Sequence, residues 1–252
     1  MSQIFMTDKG KVRQHNEDSG AIIRNKSGQR LAIVADGMGG HRAGDVASSL
    51  TVEKLTELWA MVEEIQTADE AENWLKSNIL KVNQYVFDYA STHPECEGMG
   101  TTIIGVISTE NFSTIAHVGD SRCYLYNEDG FKQITEDHSL VNELVRMGQI
   151  SKEDAEHHPR KNVVLRALGT DAQLDIDVMT IIFEEGDIIF ICSDGLSNKV
   201  TDQQMKEVLE KEYSLEEKAS TLIETANING GEDNITVIIL EHQDDHQAGD
   251  KQ

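Results

Sequence analysis

The sequence predicts an α+β fold in which antiparallel sheets are covered by helices. Three observations carry this. Strand patterns come in groups, helical patterns come in pairs between those groups, and several links between strands are of hairpin length. A regular βαβ winding would instead alternate single strands with single helices.

Taken in order, a short strand over 3–7 opens the chain, and the apolar segments 21–24 and 31–35 pair across the turn-like NKSGQ. Near-helical spacing of Val46, Ala47, Leu50, Leu55, Leu58 and Trp59 predicts a helix over 43–64, and a second periodic run covers 68–90. Strands return at 101–108, 112–118 and 122–126, and the tight Gly119-Asp120-Ser121 link predicts a hairpin between the last two. Short helical pieces, SLVNELVRMG and SKEDAEHH, then lead to the basic stretch HPRKN, a compact surface excursion. Strands over 177–183 and 187–193, helices over 201–212 and 214–229, and a last strand over 234–241 complete the pattern.

No Gly/Ser-rich linker and no repeat interrupts the 252 residues, and prolines number only two, so one domain is expected over 1–242 with a polar, disordered tail at 243–252. Acidic residues outnumber basic ones 45 to 22, and the net charge of -23 repels nucleic acid and anionic membrane surfaces. Neither is an expected partner. The three cysteines, Cys96, Cys123 and Cys192, lack metal-type spacing, and two lie in apolar strand patterns, which suits reduced, buried thiols. MSQIFMTDKG carries no basic end or apolar stretch of a secretory signal, and no apolar run is long enough for a membrane span, so a cytoplasmic protein is expected.

Two apolar strands end in Asp-Gly: LAIVADGMGG with Asp36 and Gly37, and IIFICSDG with Asp194 and Gly195. Each glycine permits a sharp turn and a close backbone approach, and the Gly37 carbonyl is a candidate oxygen ligand. In GGEDNITVIIL, Asp233 and Asn234 stand just before the final strand, and Asp120 sits in the link of AHVGDSRCYLY. Taken singly, each is ordinary turn chemistry. Jointly they place several carboxylates on rigid strand ends, where repulsion calls for a cation. Oxygen donors favour Mg²⁺ or Mn²⁺, and no His-Glu-x-x-His pair points to zinc. The adjacent His157 and His158 read as exposed loop residues. KVRQHNEDS adds Arg13, a planar fork for phosphate oxygens, with Glu17 and Asp18 to hold metal-bound waters.

Together these residues resemble the metal-dependent protein phosphatases of the PPM (protein phosphatase 2C) type, in particular the small bacterial single-domain serine/threonine enzymes. The resemblance spans about residues 7–240 through RQHNED, VADGMGGH, GMGTT, VGDSR, TEDHSLVNELVRMGQIS, HPRKN, CSDGL and GGEDNITV, in that order. It implies a four-layer αββα sandwich of two antiparallel sheets flanked by helices, with the site at one end. It also implies two core ions, Mn²⁺ or Mg²⁺, bridged by Asp36, with the Gly37 carbonyl on one and Asp194 and Asp233 on the other. Glu17, Asp18 and Asn234 would act through water or as a second shell, and Asp120 would help hold a third, weaker ion. Asp36 and Arg13 would be the catalytic residues: a hydroxide bridging the ions attacks phosphorus while Arg13 orients the phosphate.

The same resemblance implies phosphorylated proteins as partners, including a serine/threonine kinase that the enzyme opposes, a monomeric enzyme, and a flap over about 139–162 beside the site. Animal relatives carry a histidine directly after Asp-Gly as the acid for the leaving alkoxide. This chain has Met38 there, and His41 is not its equivalent, so water on the third ion is the expected acid. A catalytically silent phosphoprotein-binding module would not need every ligand position filled. Relatives acting on stress or sporulation regulators generally lack the Arg-x-x-Asn-Glu-Asp entrance that this chain carries.

Overall fold

The structure is a computed structural model that describes residues 1–40 and 43–243. His41 and residues 244–252 of the expected tail lie outside the described residues. The chain opens with β1 (Ser2–Asp8), β2 (Asp18–Arg24) and β3 (Arg30–Met38), followed by helices α1 (Ala43–Ala60) and α2 (Ala68–Thr92). The strands β4 (Gly100–Thr101), β5 (Ile103–Ser108), β6 (Phe112–Val118), β7 (Arg122–Asn127) and β8 (Gly130–Gln133) precede the short helices α3 (Leu140–Arg146) and α4 (Lys152–Glu156). Strands β9 (Asp177–Ile182) and β10 (Ile188–Cys192), helices α5 (Asp194–Ser197), α6 (Asp202–Leu209) and α7 (Leu215–Ile228), and strand β11 (Ile235–Glu241) complete it.

All the paired strands run antiparallel in two sheets, one ordered β1-β11-β10-β7-β8 and the other β2-β3-β5-β6-β9 with β4 on β3. Alternation along each central strand explains the layers, since successive side chains face opposite ways. On β3, Leu31 and Ile33 pack under α1 and α2, while Ala32 and Val34 face the second sheet. On β10, Phe190 and Cys192 face α6 and α7, while Ile189 and Ile191 meet Ala32 and Val34 between the sheets. Both faces are therefore apolar, and the sandwich has the four-layer αββα form that the resemblance implies.

Sequence punctuation sets the helix starts. Thr67 caps α2 by accepting from the Glu70 N–H at 3.2 Å, and Thr201 with Gln204 and Ser214 with Glu217 form capping boxes on α6 and α7. The first helix ends at Ala60, short of the expected residue 64, because the carbonyls of Val62 and Glu63 accept from Lys26 and Ser27 in the β2–β3 turn.

The expected hairpin across Gly119-Asp120-Ser121 is not formed. Its flanking strands β6 and β7 belong to different sheets, so this link crosses from one layer to the other. Gly119 has φ +113, and a Cβ there would lie 2.6 Å from the Thr102 side chain, so the crossing is tight for packing reasons and not for strand pairing. The strand expected over 101–108 is interrupted at Thr102, whose N–H donates to the Asp36 carbonyl at 2.9 Å. Two elements carry no apolar periodicity and were not expected: the short edge strand β8 and the single turn α5.

Cys96, Cys123 and Cys192 are buried free thiols, and burial pushes the thiols of Cys123 and Cys192 up. No helix among the described residues is long and apolar enough to cross a membrane. Phe190 is fully buried, with its ring 5.9 Å from Tyr124 and 6.2 Å from Phe131. Phe190→Ala is expected to cost about 3–5 kcal/mol in urea unfolding, through lost transfer energy and an unfilled cavity.

Candidate active site at the sheet ends

The two sheets bring five aspartates to one end of the sandwich. Asp18 begins β2 and stands directly opposite Asp36 on β3. From the other sheet, Asp194 follows β10 as the first residue of α5, and Asp233 precedes β11. Asp120 joins them from the β6–β7 crossing. Asp18 and Asp120 are buried, at 6% and 9% exposure, whereas Asp36 and Asp194 keep partial access to solvent although protein surrounds them, as in a cleft.

Side-chain hydroxyls hold Asp36 and Asp18 in place. Thr102 Oγ1 accepts from the Asp36 N–H at 3.0 Å, and Thr101 Oγ1 donates to the Asp36 carbonyl at 2.9 Å. Ser193 Oγ donates to Asp18 Oδ2 at 2.7 Å and accepts from the Thr236 N–H at 2.9 Å, tying the two sheets across the site. The glycines after Asp36 and Asp194 permit the expected close backbone approach, although Gly37 continues β3 to Met38 and does not open a sharp turn. A Cβ on Gly37 would lie 2.1 Å from the Gly44 carbonyl oxygen in the first turn of α1, and one on Gly195 would lie 1.9 Å from the Asn234 carbonyl oxygen.

Asn234 holds the loop that carries Arg13 and Glu17. Its Oδ1 accepts from the Glu17 N–H at 2.7 Å, and its Nδ2 donates to the carbonyls of Lys9 and His15 at 2.8 and 3.0 Å. Every strong donor and acceptor of that amide is thereby engaged with backbone. Arg13 is half exposed at the rim, donating to Asp233 Oδ2 at 2.8 Å with Glu17 3.6 Å away. His157 caps the C-terminal end of α4 and His158 follows it.

The carboxylates form one electrostatic unit. Burial first, then the charge of Asp18 and those of Asp194, Asp120 and Asp233, pushes Asp36 well above the usual carboxylate range. Burial pushes Asp18 up to about 7 against hydrogen bonds from Thr236 and Ser193, with Asp194 and Asp233 adding to the rise. Asp120 is pushed up to about 7 by burial and by Asp194, and Asp194 to about 6 by burial and by Asp233. Burial also raises Glu17, partly offset by Arg13. Among the described residues no three Asp, Glu, His or Cys side chains already form a closed ligand set. The shared field still marks a single site, and Asp18 Oδ1 is buried with no hydrogen-bond partner. The available donors are oxygens, which suit Mg²⁺ or Mn²⁺ better than zinc.

The sequence therefore located the aspartates, and the structure brings them together with Glu17 and Arg13. It did not single out Thr101, Thr102, Ser193 or Gly10 as supports. The signals available were the paired threonines of GMGTT, the serine before Asp194, and the glycine of DKGK, where a Cβ would lie 2.2 Å from the Asp233 carbonyl oxygen.

A two-sheet sandwich with an arginine from the β1–β2 loop beside carboxylates clustered at its strand ends has the build of a site for an anionic ester. Comparison with known proteins makes the assignment specific. The family model for protein phosphatase 2C matches residues 8–229. The serine/threonine phosphatase stp of Listeria innocua is 49% identical over 237 residues, covering 94% of each chain. The crystal structure of serine/threonine phosphatase Stp1 from Staphylococcus aureus superposes with a TM-score of 0.91 at 38% identity, covering 96% of this chain and 95% of that one. The catalytic domain of the serine/threonine protein phosphatase PstP, in complex with two manganese ions, gives a TM-score of 0.84 at 34% identity, covering 96% of this chain and 98% of that one. The chain belongs to the protein phosphatase 2C family.

The raised carboxyls also set a pH dependence. Their folded values lie above the ordinary 3.8, so the folded chain binds more protons than the unfolded one from about pH 4 to about pH 7. This contribution to stability is present at the acid end of that window and is lost as pH rises through it. In divalent-free buffer the melting temperature is expected to fall between about pH 5 and about pH 7.5. Asp36→Asn, which removes one repelling charge, should flatten that fall; an unchanged slope would place the effect elsewhere.

Proposed function

We propose that the protein hydrolyses phosphoserine and phosphothreonine side chains of proteins with two Mn²⁺ or Mg²⁺ ions held at the sheet ends. The observation that carries this reading is the gathering of aspartates at the sheet ends, with Asp18 directly opposite Asp36 and one buried Asp18 oxygen lacking any partner. An all-oxygen donor set under this repulsion fits hard divalent cations. Manganese is favoured by the PstP relative, which holds two of those ions.

In this reading Asp36, the Gly37 carbonyl, Asp194 and Asp233 are the groups that would hold the two ions. Glu17 and Asp18 act through water, and Asp120 holds a third, weaker ion. Such ions, when bound, would make water a better nucleophile at neutral pH and would screen the phosphate charge. The remaining work belongs to the chain. Arg13, hydrogen-bonded to Asp233 through one nitrogen and ion-paired with Glu17 through another at 3.6 Å, is half exposed and has further N–H groups for phosphate oxygens. Asn234 holds the loop under Arg13 and Glu17, so neither can drift from the reacting phosphate.

Met38, next to Gly37, has no proton to give, which leaves protonation of the departing alkoxide to the Asp120 side of the site. The chain over 139–162 forms a flap against which the substrate protein would rest, within a catalytic domain extending over 1–242. A serine/threonine kinase that phosphorylates the same substrates is the natural counterpart, and the enzyme would act as a monomer.

Phosphate release from phosphothreonine peptides with Mn²⁺ is expected to exceed that from phosphotyrosine peptides and to stop with a chelator. Asp36→Asn should lower kcat on the order of a hundredfold or more. Activity that survives both the chelator and the substitution would overturn the reading. Mn²⁺ should also raise the melting temperature with increasing concentration, as any ligand of the native state does. That rise should be much smaller in Asp36→Asn, and an equal rise in both proteins would put the ion elsewhere.

A further inference from the structure

The flap over 139–162 is joined to the body of the protein by a narrow stem. The Leu140 N–H donates to the Val163 carbonyl at 2.8 Å, Ser139 bridges Val164, and the Leu165 N–H donates to the His138 carbonyl at 2.7 Å. His138 is the base of that stem, and it is buried at 9% exposure. Its main-chain N–H donates to the Gly119 carbonyl at 2.8 Å, and its ring Nδ1 accepts from the Gly119 N–H at 3.1 Å. One residue therefore engages both polar groups of the glycine directly before Asp120.

This second contact works only in one tautomer. With Nδ1 as acceptor the proton sits on Nε2, which lies 3.1 Å from Asp177 Oδ2 on β9. Arg166, on the returning side of the stem, donates to the other oxygen of Asp177 at 3.3 Å. The His117 ring packs behind His138 with centroids 4.6 Å apart and limits its rotation. On its far side Gly119 is confined by Thr102, whose hydroxyl accepts from the Asp36 N–H. Gly119 is thus held between the His138 ring and a residue that supports Asp36.

We propose that His138 is a positioning residue that sets the Asp120 carboxylate and makes its placement depend on the stem of the flap. The neutral ring with Nδ1 bare is the working form, and Asp177 fixes it by accepting from Nε2. The proposal rests on reading Asp120 as a ligand of a third, weaker ion.

The test is a Mn²⁺ titration of the purified full chain, with free ion counted by electron paramagnetic resonance, in wild type, Asp120→Ala, His138→Gln, His138→Asn and Asp177→Ala. Asn places its amide oxygen where Nδ1 lies, whereas Gln carries its amide where Nε2 lies and offers Gly119 no acceptor. Asp120→Ala should lose the weakest ion. His138→Gln should weaken that ion about tenfold or more, the size typical of an outer-shell partner, while the two tighter ions bind as in wild type. His138→Asn should restore most of the affinity, and Asp177→Ala should weaken the same ion by less than His138→Gln does.

If Asp120→Ala leaves Mn²⁺ binding unchanged, the reading of Asp120 as a ligand fails and the proposal goes with it. If Asp120→Ala loses the ion but His138→Gln keeps it, the proposal alone is overturned. It is also overturned if His138→Asn binds as poorly as His138→Gln, since the acceptor would then not matter. Should His138→Gln fail to fold, Asp177→Ala decides: its half-exposed side chain can be removed without opening the core, and unchanged affinity for the weak ion would sink the proposal.

Discussion

The structure is organised around an unfavourable interaction, the gathering of like charges where the two sheets meet. Asp18 and Asp36 stand opposite each other on neighbouring strands, an arrangement that destabilises a sheet when both are ionised. Two such charges 4 Å apart near a protein surface repel by about 4 kcal/mol, whereas a net hydrogen bond returns about 1 kcal/mol. Arg13 on Asp233, Asn198 on Asp194 at 3.1 Å and Ser193 on Asp18 offset only part of that repulsion. Protonation offsets more of it at low pH. At neutral pH the proposed divalent ions do so, and the same imbalance that costs stability would bind them.

A cluster under such strain needs a stiff frame, and the frame is built from backbone more than from other side chains. Thr101 and Thr102 hold the main chain of Asp36, the Asn234 amide grips three points of the 9–17 loop, and Gly37 and Gly195 let neighbouring backbone approach to distances that any side chain would block. The ends of buried strands fix these positions better than free loops can. The apolar contacts between the sheets supply that stiffness, because Ala32, Val34, Ile189 and Ile191 interlock below the aspartates.

Much of this was legible in the sequence for a specific reason. Strands of the inner layers are apolar on both faces, so β3, β10 and β11 appear as unbroken apolar runs that end abruptly in Asp-Gly or begin after Gly-Gly-Glu-Asp-Asn. The ends of those runs are the site. Elements without such a signal were lost: β8 is a four-residue edge strand, half-buried except at Lys132, and α5 is a single turn. The supporting roles of Ser193, Thr102 and Asn234 toward Thr236, Asp18, Asp36 and the 9–17 loop depend on partners 43 to 225 residues away in the chain, and no local pattern encodes such pairings.

The misread link is the most instructive of these. Gly119-Asp120-Ser121 has the composition of a hairpin turn, and local propensity alone cannot distinguish a turn that pairs its strands from one that sends them into different sheets. The packing decides it. Thr102 fills the space beside Gly119 and its hydroxyl lies 2.8 Å from that of Ser121, so the link is held against β5's entrance and β7 must leave into the opposite layer. That crossing puts Asp120 inside the sandwich at its open end. A hairpin would have left it on the surface as one more solvated carboxylate. The step between sheets therefore turns a turn residue into a neighbour of the other aspartates, and it is also the point that His138 grips through Gly119.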